Sequence, residues 1–249
     1  MMNLWRTFLV GLTLVGLAVG LAFASPAVAV DIKTHPVAVV ELFTSQGCSS
    51  CPPADAFLTE IQQRPDVLAL AYHVDYWDYI GWKDTMGDAA NSDLQRAYAQ
   101  NWGKSRIYTP QLVINGSQDY VGSNRQAIEA GIVHTQLPVA IELTYEDGLL
   151  LVGIAPHEGA SASVIYLVTF KNNMDVTIER GENRGKSISY AQVVTSRQAI
   201  GMWNPEDGVQ LQLPLSELLG DKSDGVVVMV QQHNNGLPGP IIGASLFQM

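Results

Sequence analysis

The chain has 249 residues, 47% of them hydrophobic and 15% charged, with a formal net charge of −10 and two cysteines. So acidic a chain repels phosphate backbones, and no Lys/Arg cluster offsets this, which excludes nucleic acid from the expected partners. Two cysteines are too few for a disulfide-stapled scaffold, so the pair is expected to act locally rather than to hold the fold together.

The first 29 residues, MMNLWRTFLVGLTLVGLAVGLAFASPAVA, carry one positive charge, Arg6, then an apolar run over 7–23 and an A-x-A signal at Ala27 and Ala29. That is the layout of a secretory signal peptide, with an uncleaved anchor as the alternative because roughly 20 apolar residues span a bilayer. Export places the remainder in the periplasm or outside the cell, with no membrane contact unless the segment is retained.

HPVAVVELFTS (35–45) reads as a buried strand. PPADAFLTEIQQRP (52–65) follows as a helix, with Ala54, Phe57, Leu58 and Ile61 at helical spacing, Pro52 at its start and Pro65 at its end. DVLALAYHVDYW (66–77) is a second apolar strand, and DTMGDAANSDLQRAYAQNWG (84–103) a helix stopped by Gly103. Over 106–136 the pattern predicts a strand to Ile114, an Asn115-Gly116 hairpin turn, a strand to Val121, and a helix capped by Ser123 or Asn124. The order β-α-β-α-β-β-α implies an α/β domain over 30–137, a central mixed sheet flanked by helices. Beyond Pro138, short alternating runs separated by Gly, Asn, Asp and Pro predict a second, β-sandwich-like domain over 138–249. Within it, ERGENRGKS (179–187) reads as a polar hairpin turn.

Cys48 and Cys51 form a C-x-x-C between the first strand and the first helix. A thiol at a helix N-terminus meets unpaired N–H groups and the positive end of the dipole, which lower a cysteine pKa from ~8.5 to about 3.5–7.5. Cys51, a turn further in, is expected to be less exposed. An outer attacking sulfur and an inner resolving one are what disulfide exchange requires. The competing reading is a structural disulfide, although so short a loop removes little chain entropy. HVDYWDYIGWKD (73–84) concentrates aromatics and acids beside the pair. Asp75, Tyr76, Trp77 and Asp78 form a substrate-facing wall, or else Trp77 and Trp82 pin the loop to the core. The chain has no G-x-S-x-G, P-loop or H-E-x-x-H.

VVELFTSQGCSSCPPAD together with YTPQLVINGSQDYVG resembles the thioredoxin-like superfamily, in which a C-x-x-C at a helix start faces a cis-proline. More narrowly the chain resembles the DUF1223 family of secreted thioredoxin-like proteins, through HVDYWDYIGWKD, QRAYA, RIYTPQ and RGENRGKSISYAQVV. The resemblance implies a thioredoxin-like fold for 30–137, Cys48 as attacking thiol, Cys51 as resolving thiol, and Pro110 as the cis-proline. The Thr109 backbone would pair with a substrate strand. The superfamily's buried proton-moving carboxylate would be Glu41, one residue further from Cys48 than the usual spacing. The implied activity is exchange on protein thiols or disulfides, with a redox-recycling partner and no organic cofactor. Secreted relatives that handle copper use a cysteine pair and a nearby histidine, so the alternative is a Cu(I) site of Cys48, Cys51 and His73. A further alternative is a binding module with an idle disulfide.

Overall fold

A computed structural model describes residues 30–249. The expected signal peptide or anchor, 1–29, lies outside the described residues. In chain order the elements are β1 (Asp31–Lys33), β2 (Ala38–Thr44), α1 (Pro52–Ile61), β3 (Val67–His73), α2 (Ala89–Asn101), β4 (Gln111–Ile114), β5 (Gln118–Val121) and α3 (Arg125–Val133). There follow β6 (Ile141–Glu146), β7 (Leu149–Ile154), β8 (Ser163–Thr177), β9 (Ser187–Trp203), β10 (Val209–Pro214), α4 (Leu215–Leu219), β11 (Gly225–Asn234) and β12 (Leu237–Gln248).

The expected fold class is overturned. Strand dominates, and one nine-stranded mixed sheet, ordered β1-β12-β11-β8-β9-β3-β2-β4-β5, runs through both halves of the chain; β10-β7-β6 form a second sheet. A helix-flanked thioredoxin-like sheet followed by a separate sandwich is therefore not what forms. The reason lies in β3. All seven of its residues are buried, and such a strand must pair its backbone on both edges. One edge takes β2 in parallel from Ala38↔Val67 to Thr44↔His73, and the other takes β9 through Ala71↔Val193. The 15-residue β8 and 17-residue β9 are long enough to reach from that junction out to the end of the small sheet.

Alternation along β2 sorts its neighbours. Ala38, Val40 and Leu42 pack with Ala54, Phe57, Leu58 and Ile61 of α1 and with α3. Val39 and Phe43 face the other way, into a core shared with Tyr98 of α2, Phe170 of β8 and Met229 of β11. The small sheet buries Ile141, Leu150 and Val152 against Ile165, Val228 and Phe247. The β4–β5 connection is the predicted Asn115-Gly116 turn, with φ of 46° and 62°. It is an interior turn: Asn115 Oδ1 accepts from Val39 N at 2.7 Å, and its Nδ2 donates to Thr135 Oγ1 at 2.8 Å. Among the described residues, no helix is long and apolar enough to cross a membrane.

Candidate redox site

The parallel pair β2–β3 ends at Thr44 and His73, and the chain leaves β2 through the loop 45–51 into α1. Pro52 opens the helix, with Cys51 as its N-cap, so Cys48 lies in the preceding loop rather than in the first turn. The two sulfurs form a disulfide, with Cα atoms 5.4 Å apart. Neither cysteine is exposed, at 2% for Cys48 and 0% for Cys51, whereas Ser49 and Ser50 face solvent. The expected contrast between an outer and an inner cysteine is thus absent in the oxidised state.

Behind the pair is a carboxyl the sequence reading missed. Asp55 follows Cys51 by one helical turn, its N–H bonded to the Cys51 carbonyl at 3.1 Å. Its Oδ1 accepts from Thr44 Oγ1 at 2.7 Å, and its Oδ2 is buried without a partner. Burial pushes its pKa up to about 7, against the Thr44 hydrogen bond. His73 and Asp84 complete the floor, with His73 Nδ1 2.9 Å from Asp84 Oδ2 and the imidazole edge-on to Tyr190 of β9. Burial works to raise the Asp84 pKa, but the His73 side chain and the Gln46 and Met86 N–H groups hold it below the usual range. Burial, aided by Asp55 and Asp84, raises the Tyr190 phenol. The i, i+4 spacing of Cys51 and Asp55 was available as a signal. Tyr190 had none, because only the β3–β9 pairing brings it here.

Glu41, assigned by resemblance as the proton carrier, faces away from α1. Its Oε2 accepts from Tyr98 OH at 2.7 Å in the opposite core. Burial raises its pKa, opposed by the charge of Arg197 and the bond from Tyr98. His73, the third member of the copper set, keeps Nδ1 on Asp84 and leaves Nε2 buried without a partner. Among the described residues, no group of three or more His, Cys, Asp or Glu side chains converges so as to hold a metal ion.

The 73–84 segment does wrap the cysteine loop. Trp77 packs on Gly47, where a Cβ would sit 3.1 Å from Trp77 Cβ, and its Nε1 donates to Thr109 Oγ1 at 2.7 Å. Trp82 Nε1 donates to Gln46 Oε1 at 2.8 Å. Both tryptophans therefore pin the loop. Tyr76 donates to Gln95 Oε1 at 3.2 Å, and burial raises its pKa to about 12. Asp75 accepts from Ser92 Oγ, and Asp78 Oδ1 accepts from Asp84 N at 3.0 Å, so both acids hold loop geometry. The Thr109–Pro110 bond is cis. Pro110 meets Leu42 and Ala54 around Gly122, where a Cβ would lie 2.9–3.1 Å from all three, so Pro110 sits beside the first turn of α1. A cavity of about 740 Å³ lies between the start of α2 and β9, lined by Met86, Leu94, Met174, Val193 and Arg197 among others; neither cysteine reaches it.

The crystal structure of protein AGR_C_4864 from Agrobacterium tumefaciens is similar to this chain at 32% identity and a TM-score of 0.78, covering 86% of this chain and 95% of that one. No curated protein matches. Residues 39–231 match the family described as "Protein of unknown function (DUF1223)", a span that includes the disulfide, the cis-proline and the β8–β9 hairpin, and the chain belongs to that family.

Proposed function

We propose that the protein exchanges thiols and disulfides through Cys48 and Cys51, acting on protein substrates in the periplasm or outside the cell. The supporting observation is a C-x-x-C disulfide at the start of α1 with a buried carboxyl one turn behind Cys51. From the oxidised pair, a substrate thiolate attacks Cys48 Sγ. A substrate–Cys48 bond forms, the Cys48–Cys51 bond breaks, and Cys51 departs with the electron pair as a thiolate. A second substrate thiolate attacks the substrate sulfur of this mixed disulfide. The substrate is then oxidised by two electrons and both cysteines are reduced. The reverse sequence reduces a substrate disulfide, and either direction needs a recycling partner.

The N-terminus of α1 favours the Cys51 thiolate. Asp55, titrating near neutrality, is suited to give that sulfur a proton as it leaves and to take it back when Cys51 attacks. In this reading Tyr76, Trp77, Thr109 and Pro110 border the substrate's approach.

The burial of both cysteines favours a second reading, an idle disulfide in a binding module. A disulfide-bonded protein substrate incubated with the reduced Cys51→Ser and Cys48→Ser variants separates the two, since a Cys48 thiolate that attacks the substrate disulfide releases one substrate thiolate and, without Cys51, keeps the other sulfur bound. Exchange predicts a mixed disulfide with Cys51→Ser only, and a couple that equilibrates with glutathione at roughly −120 to −270 mV. No trapping, with a couple below about −300 mV, would establish the idle disulfide. Cu(I) uptake by the reduced protein that is lost in His73→Ala would point instead to the copper set.

A further inference from the structure

The cysteine loop is covered from two directions. Trp77 and Trp82 close over Gln46 and Gly47 from the segment after β3. The second cover comes from the other half of the chain, the turn 178–186 joining β8 to β9. There Asn183, 1% exposed, donates its amide to two carbonyls at once, Gln46 O at 2.9 Å and Cys48 O at 2.8 Å. Its Oδ1 accepts from Lys186 Nζ at 2.8 Å, which fixes the plane of the amide. Gly181, at φ 74°, comes against Trp82, where a Cβ would lie 3.2 Å from Trp82 Cβ. The turn therefore touches both the cysteine loop and its first cover. Around Asn183 it is polar and exposed, with Glu182, Arg184, Gly185 and Lys186 in solvent.

Thiol–disulfide exchange requires a thiolate to reach a sulfur along the S–S axis, so access enters its rate directly. Cysteines 2% and 0% exposed leave a protein thiol no such approach. We infer that the turn 178–186 is a lid latched by Asn183, and that attack on the Cys48–Cys51 bond follows its opening. This rests on the exchange reading for its biological role, but the gating is a property of the disulfide whatever its use. Ile178, buried at the base of the turn, keeps its place, so the exposed tip that carries Asn183 opens by exchanging two side-chain-to-carbonyl bonds for water, a modest loss that needs no unfolding.

The test is the rate at which excess dithiothreitol reduces the disulfide in the folded, full-length protein, read by quenched alkylation. One reagent thiolate attacks a protein sulfur, the second displaces it, and the reagent closes to its cyclic disulfide as both cysteines are reduced. Asn183→Ala should accelerate reduction about ten-fold, the worth of two ordinary hydrogen bonds. Asn183→Asp, which turns a carboxylate toward two carbonyls, should be at least as fast. Lys186→Met keeps the latch but frees its amide plane, and should give a smaller acceleration of about two-fold. Val152→Ala, in the core of the small sheet, should lower global stability and leave the rate unchanged. Wild-type rates in Asn183→Ala and Lys186→Met would overturn the lid. So would acceleration by Val152→Ala in step with its destabilisation, since access would then come by unfolding. Because dithiothreitol reduces any accessible disulfide, this result stands apart from mixed-disulfide trapping, which tests exchange itself.

Discussion

Asp55 and Glu41 are buried carboxyls on opposite sides of β2, and alternation along that strand decides which can serve the disulfide. Asp55 lies on the α1 side with its pKa raised to about 7. An acid whose folded pKa is raised binds its proton more tightly folded than unfolded, so its stabilising share is present at low pH and lost as pH climbs from about 4 through about 7. Asp55→Asn removes that titration while leaving an oxygen to accept from Thr44. The difference in unfolding free energy, variant minus parent, should therefore shift in the variant's favour by about 4 kcal/mol between pH 4 and pH 8, whatever constant offset the amide introduces. Urea denaturation at the two pH values reads this directly, and a pH-independent difference would show that Asp55 ionises normally. The same variant should slow exchange at pH 7 about 100-fold if Asp55 carries the proton of Cys51.

At the scale of elements, the first half of the chain was largely legible. Helical spacing marked α1, Asn115-Gly116 marked the hairpin, and Gly103 ended α2. What periodicity leaves out is which strands pair. Asn172 and Asn173, residues of turn character, lie inside the continuous strand β8, where Asp224 accepts from Asn172 N at 2.8 Å. The site was legible in the same measure. The cysteines, the cis-proline and the aromatic segment stood out locally, whereas Asn183 and Tyr190 reach the site through pairings more than a hundred residues apart in sequence. The Asn115-Gly116 turn shows how tightly such distant pieces fit. A Cβ on Gly116 would lie 2.4 Å from the Gly239 carbonyl of β12, at a φ of 62° that side chains rarely adopt. A backbone atom cannot swing aside, so Gly116→Ala should lower stability by about 2 kcal/mol or more. A thermal or urea midpoint equal to that of the parent would mean that β12 is displaced without cost.

Over the whole molecule, one continuous sheet takes strands from both halves of the chain, and buried polar groups mark the seam. Glu41 of β2 accepts from Tyr98 of α2; Gln231 of β11 donates to Tyr98 OH at 2.8 Å and accepts from Arg197 of β9. The Arg197 guanidinium lies 3.5 Å over the Tyr166 ring of β8, and its charge opposes the burial-driven rise of the Glu41 pKa. Removing one member of such a set leaves the other charge buried and uncompensated, a penalty of about 3–5 kcal/mol, whereas removing both together is far milder. Arg197→Met should therefore destabilise strongly, and the sign of its pH dependence follows from Glu41. Without the cation, the folded pKa of Glu41 rises further. At low pH the carboxyl is protonated folded and unfolded alike; as pH climbs from the ordinary carboxylate range toward that raised value, only the unfolded chain releases the proton, and the cost of burying Glu41 grows. The loss should thus be larger at pH 8 than at pH 5, and Glu41→Gln added to Arg197→Met should restore much of it at pH 8. Urea midpoints of the parent, the two single variants and the double variant at both pH values form the cycle that decides it. If the two losses simply add and neither depends on pH, Glu41 and Arg197 act independently, and the seam is held by apolar packing alone.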